Sequence, residues 1–184
     1  MITVVSVQDA INTVENIIGA RSVRIISVDG VDGSGKSYLA KFLSHSSKYS
    51  YIDIDGEYLI PNNGKFIEFI NYKKLKSDIN CFLASGYILV IDGICATKIL
   101  KNIGLEADVK IYIKKTIAGE WRDGKLFCYS RKIGDVIDER RKMLQESEID
   151  EANIEGRVPE IFSFSEENMK DEILRYHFEY HLNP

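Results

Sequence analysis

The residues with the most chemical content are Gly30, Val31, Asp32, Gly33, Ser34, Gly35, Lys36 and Ser37, a G-x-x-x-x-G-K-S string that directly follows the apolar run Val23 to Asp29. Glycines at this spacing let consecutive backbone N–H groups turn inward onto an oligophosphate. A lysine there supplies a point charge for the β and γ oxygens, and a serine hydroxyl can ligate Mg²⁺. Behind the string, Leu39, Ala40, Phe42 and Leu43 recur at helical spacing, which sets a helix N-terminus and its partial positive charge beneath the phosphates. The expected ligand is ATP, contacted by Gly30, Asp32, Gly33, Ser34, Gly35, Lys36, Ser37 and Tyr38, with Mg²⁺ on Ser37. A glycine-rich turn bearing an exposed lysine is the bland alternative. It leaves unexplained why the string falls between a β-branched run and a helical one.

A phosphate cradle becomes a phosphotransferase when something holds the metal and something prepares the acceptor. Asp92 closes the apolar run 87–91 and precedes Gly93, so it stands where a strand-end acid could hold a metal-bound water. An ordinary Asp-Gly turn is its structural alternative. Asp55, at the end of Tyr51-Ile52-Asp53-Ile54-Asp55, is the candidate general base. Strand alternation puts Asp53 and Asp55 on one face with Glu57 just beyond, so the choice within this acidic trio stays open. Arg122, in Glu120-Trp121-Arg122-Asp123-Gly124, could reach the phosphates from a closing lid, with Arg131 as runner-up. Trp121 could stack on a base or sugar, or simply anchor the lid. His177 and His181 are four apart, but Phe178 stands where the zinc-protease motif needs glutamate, so these two and His45 are read as structural.

The elements that must position these groups follow from periodicity. Four β-branched or aromatic runs, 23–29, 50–54, 87–92 and 109–114, alternate with helical patterns, the signature of a parallel sheet with crossover helices. The third is continuously apolar and should be central, whereas the fourth alternates with lysines and should form a wetter edge. Ser6 can cap a helix reaching about Ile18. A second helix spans 72–85, with Leu75, Ile79, Phe82 and Leu83 on one face and Gly86 as its stop. From about 116 to 149, glycines and basic residues alternate with Ile133, Val136, Ile137, Met143 and Leu144. This reads as a basic lid with a docking helix, although most of its charges suit a solvated face. A last helix should start near Ser163 and carry Met169, Ile173, Tyr176 and Tyr180 on one side, with no strand after it.

At 184 residues, 45% hydrophobic and 28% charged, the chain can bury a substantial core as a single domain spanning 1–184. A formal charge of −4 disfavours a nucleic-acid polymer as partner. Cys81, Cys95 and Cys128 are scattered, with no C-x-x-C, so neither a disulfide framework nor a zinc site is expected and a reducing cytoplasm fits best. No run approaches membrane-spanning length and the first residues lack a signal-peptide layout, so no membrane partner is expected. Homo-oligomerisation is left open.

Taken together, the chain resembles P-loop kinases of the uridine kinase and phosphoribulokinase type. The cradle, Tyr51 to Tyr58, Val90 to Ile94 and Val109 to Asp123 carry the resemblance, and Phe69 to Tyr72 and Arg175 to Tyr180 are loosely similar as well. The resemblance implies a P-loop NTPase-like three-layer α/β sandwich, with a mainly parallel sheet of four or five strands flanked by helices and a basic lid. It also implies Mg-ATP-dependent transfer to a small-molecule hydroxyl, with Asp55 as base and Arg122 as the lid arginine. That family usually adds a fifth parallel strand after the last helix, so either Met1 to Val5 supplies an extra strand here or the sheet is smaller. The wording of the cradle also resembles thymidylate kinase, but the Asp-Arg dipeptide of that family is not in the chain. Two other classes remain: a GTP- or ATP-binding switch, against which the Asn-Lys-x-Asp guanine motif is missing, and a non-catalytic nucleotide-binding module.

Overall fold

The computed structural model describes residues 2–4, 6–30, 33–60, 67–117, 120–121, 132, 134–135, 138 and 178–182. β1 (Ile2–Val4) leads into α1 (Val7–Ala20), whose N-terminus is capped as expected, with the Ser6 hydroxyl accepting from the Asp9 N–H at 3.0 Å. β2 (Ile25–Asp29) feeds α2 (Lys36–Leu43), then come β3 (Tyr49–Asp53), α3 (Ile54–Glu57) and a 3₁₀ turn at Ile67–Phe69. α4 (Tyr72–Ala84), β4 (Ile88–Asp92), α5 (Ala96–Asn102) and β5 (Val109–Ile117) follow. β6 (Glu120–Trp121) folds back antiparallel on β5, and β7 (Phe178–Leu182) returns to the sheet.

The sheet order is β1-β7-β5-β2-β4-β3, every neighbouring pair parallel, with β6 off this path. The chain leaves β2 toward β3 and β4 on one side and later crosses to β5 on the other. The carboxyl end of β2, where the cradle starts, is therefore the topological switch point at which open α/β sheets collect ligands. Strand alternation divides the core into two layers. Ile25, Ile52, Leu89 and Ile91 face α4 and α5 through Leu75, Ile79, Ile99 and Leu100. Ile26, Val28, Val90, Ile111 and Ile113 face α1 and α2 through Ala10, Val14, Leu39, Ala40 and Leu43. Fully burying each such aliphatic side chain stabilises the fold by about 1.5–3 kcal/mol. Among the described residues no helix is long and apolar enough to cross a membrane.

The α/β class and all four expected strands are present, and three corrections follow. β3 ends at Asp53, not Asp55, because the Asp53 carboxylate accepts the Gly56 N–H at 2.9 Å and so starts α3. Capping overrides alternation, and Asp53 and Asp55 do not share a strand face. β5 is no edge: β2 and β7 pair on its two sides, Ile111 and Ile113 are buried, and Lys110 is 7% exposed beside Glu106. Third, residues 178–182, expected to end a helix with no strand following, form a sheet strand whose Phe178 lies opposite both Ile2 and Ile111. His181 is accordingly a strand residue. The Met1 to Val5 stretch does contribute a strand, and the sheet is wider than the four or five strands expected. Met169, Ile173, Tyr176 and His177 lie outside the described residues, as do the expected lid-helix positions Ile133, Val136, Ile137, Met143 and Leu144.

Candidate functional site

The cradle needs its glycines for steric reasons. Gly33 and Gly35 have φ of 67° and 98°, left-handed backbone that side chains rarely tolerate. A Cβ on Gly30 would stand 2.6 Å from Ser34 Oγ and 2.9 Å from the Ile113 carbonyl oxygen, so the loop closes against β5 only because that atom is missing. Gly35 is the N-cap of α2, which directs the helix's first N–H groups into the loop. Lys36 is only 6% exposed, its stem packed in the cradle. Asp32 lies outside the described residues, and Tyr38 packs its ring on Phe42 with centroids 4.7 Å apart and is 53% exposed.

α2 carries Ser37 to the end of β4, where its hydroxyl donates to Asp92 Oδ2 at 2.7 Å. Residues fifty-five apart in sequence are thus joined as a hydroxyl and carboxylate pair beside the cradle lysine. Asp92 is 1% exposed and its second oxygen, Oδ1, is buried with no hydrogen-bond partner among the described residues. Burial pushes its pKa up and the nearby Asp53 charge adds to that, while the Ser37 and Tyr51 hydroxyls and the Lys36 charge oppose it. A buried, unpaired carboxylate oxygen beside a hydroxyl fits a hard, hydrated cation. Mg²⁺ takes one or two protein oxygens and completes its shell with waters and phosphate.

The acidic trio separates in space. Asp53 lies opposite Asp92 across the β3–β4 pair and spends one oxygen on the Gly56 N–H. Asp55, in the first turn of α3, accepts the Ile94 N–H with both oxygens, at 3.1 and 3.3 Å. This approach requires Gly93, since a Cβ there would sit 2.8 Å from Asp55 Oδ1. Glu57 is exposed at the far end of the turn. The structure therefore gathers Lys36, Ser37, Asp92, Asp53 and Asp55 at one sheet end. Arg122, Arg131 and Asp123 lie outside the described residues, and of the Trp121 segment only the backbone pairing with Thr116 is described.

Two residues escaped the sequence reading. Asp29, the last residue of β2, is fully buried and takes the Ala96 N–H at 2.6 Å, the Thr97 N–H at 3.1 Å and the Thr97 hydroxyl, clamping the start of α5 to the strand that enters the cradle. Burial raises its pKa to about 6 against the pull of those hydrogen bonds and of Lys36. Tyr51 shares the α2 side of β3 with Asp53, its ring against the core and its hydroxyl beside Asp92 and Ser37. Counting two residues back from Asp53 would have found it.

The fold is an α/β one, a mainly parallel sheet with helices on both faces. No family model matches the chain, and no curated protein matches it. Among solved structures it is similar to a thymidylate kinase from Ehrlichia chaffeensis at a TM-score of 0.43 and 15% identity, over 86% of this chain and 91% of that one. It is also similar to a shikimate kinase from Bacteroides thetaiotaomicron at a TM-score of 0.35 and 11% identity, over 87% and 86%. Likenesses of this size concern the backbone course alone.

Proposed function

We propose that the chain is a Mg-ATP-dependent phosphotransferase that phosphorylates a hydroxyl of a small metabolite, a nucleoside or sugar derivative, in the manner of uridine kinase. The observation that carries this reading is the Ser37–Asp92 hydrogen bond at the mouth of the cradle, with the other Asp92 oxygen buried and unpaired. Phosphate binding alone needs only the loop. A paired hydroxyl and acid at the cation position adds Mg²⁺ to phosphate binding, and a further carboxylate on the adjoining turn supplies the base that transfer to an alcohol uses.

Lys36 and the α2 N-terminus hold the β and γ phosphates, and Ser37 and Asp92 would hold Mg²⁺. When bound, the ion neutralises charge on the transferring group. Asp55, steadied by the Ile94 N–H, takes the acceptor's hydroxyl proton as that oxygen bonds to the γ phosphorus. The bond from γ phosphorus to the β–γ bridging oxygen breaks, and ADP leaves. Arg122 supplies positive charge from the lid.

The test is calorimetry of ATP and GTP with and without Mg²⁺, followed by turnover on a panel of nucleosides, sugars and polyols. Mg²⁺-dependent uptake of ATP is expected, and strong preference for GTP would indicate a switch instead. Asp55→Asn should leave ATP affinity nearly intact and lower turnover at least about a hundredfold. Unchanged turnover in that variant removes the base assignment.

A further inference from the structure

A buried polar atom without a partner destabilises the fold unless some functional state pairs it. Three side-chain oxygens among the described residues are in this condition: Ser34 Oγ, Tyr51 OH and Asp92 Oδ1. The last two belong together. β3 and β4 run in register with Tyr51 opposite Val90 and Asp53 opposite Asp92, so Tyr51 and Asp92 project from the same sheet face. The Tyr51 hydroxyl lies close enough to the Asp92 carboxylate and the Ser37 hydroxyl to interact with both, but neither approach reaches the distance and angle of a formed hydrogen bond. An unpaired donor thus stands next to an unpaired acceptor, at the pair that would hold the cation.

The neighbouring tyrosine on the same strand face shows that this is not how the strand treats phenols generally. Tyr49, two residues earlier, donates its hydroxyl to Glu15 of α1. A tyrosine adds a hydroxyl to the ring that packs against the core layer on the α1 and α2 side, and a phenylalanine would fill the same apolar volume without leaving a polar atom buried.

We propose that Tyr51 is a positioning residue for the nucleotide's divalent cation, its hydroxyl donating into the hydration shell of the ion that Ser37 and Asp92 hold. The inference rests on the phosphotransferase reading above. Mg²⁺ gives up its waters reluctantly, so a phenol donor and a carboxylate acceptor reaching those waters orient the ion without stripping it.

Tyr51→Phe tests this with three readouts. Without ligand, the thermal midpoint should stay the same or rise by about 2–4 °C, because the variant removes a buried hydroxyl that lacks a partner. Affinity for ATP in EDTA should be unchanged. The Mg²⁺ concentration that half-saturates the complex with a non-hydrolysable ATP analogue, followed by calorimetry, should rise about tenfold. An unaltered Mg²⁺ dependence overturns the proposal, and so does a lowered ligand-free midpoint, which would show the hydroxyl bonded within the fold. If the wild-type protein takes up no Mg-ATP, the cradle reading itself fails, and this outcome is distinct from a Tyr51→Phe variant that matches a competent wild type.

Discussion

Asp29 occupies a site where burial and hydrogen bonding pull against each other. Its carboxyl pKa lies above the usual value of 3.8, at about 6. Between those two values the folded state holds a proton that the unfolded state has released. The stability this contributes is fully present below about pH 4 and is lost as pH rises through 6. At about 1.4 kcal/mol per pKa unit the effect amounts to a few kcal/mol. Denaturant melts of the wild type and Asp29→Asn across pH 4 to 7 should therefore show the wild type losing stability, relative to the variant, as pH rises; parallel profiles would mean that Asp29 does not titrate in that window. Ionised Asp29 is nevertheless the form that satisfies three donors from α5, so its neighbour Gly30 enters the cradle from a strand end that cannot drift.

Helix and strand boundaries were readable wherever local chemistry and periodicity agree. Ser6 begins α1, as a capping residue ahead of an apolar stripe predicts, whereas the Asn71 cap of α4, accepting the Lys74 N–H at 3.1 Å, emerges from the structure. Ser6→Ala should lower stability by about 1 kcal/mol in denaturant melts and leave nucleotide affinity unaltered, since Ser6 caps α1 and is not part of the cradle. Where local signals compete, the pattern alone misleads. Asp53 reads both as a strand residue and as a cap, and the cap wins because Gly56 follows at the spacing that lets its N–H reach the carboxylate. That one choice turns Asp55 away from Asp53 and onto the Ile94 N–H, so which acid of the trio stands opposite Asp92 was not legible from alternation.

At the scale of the whole molecule, the sheet is completed by a strand more than sixty residues beyond β5. β7 lies between β1 and β5, so it has ladder partners on both sides. Proline there removes a ladder hydrogen bond. Tyr180→Pro should lower stability and speed amide exchange along Ile111 to Lys115, read by hydrogen–deuterium exchange. If exchange in β5 is unaffected, the pairing is not what protects that strand.

The amino-acid order alone determined the cradle, the four strands β2 to β5, the Ser6 cap and the acid that closes β4, because each is written within a few neighbouring residues as spacing, periodicity or glycine placement. Only the tertiary structure decided that Phe178 to Leu182 is a strand, that β5 is interior, that Ser37 bonds Asp92, and that the Tyr51 hydroxyl faces them unpaired. These depend on contacts between segments far apart in the chain, and a contact of that kind is set by which faces can be buried together rather than by any local pattern.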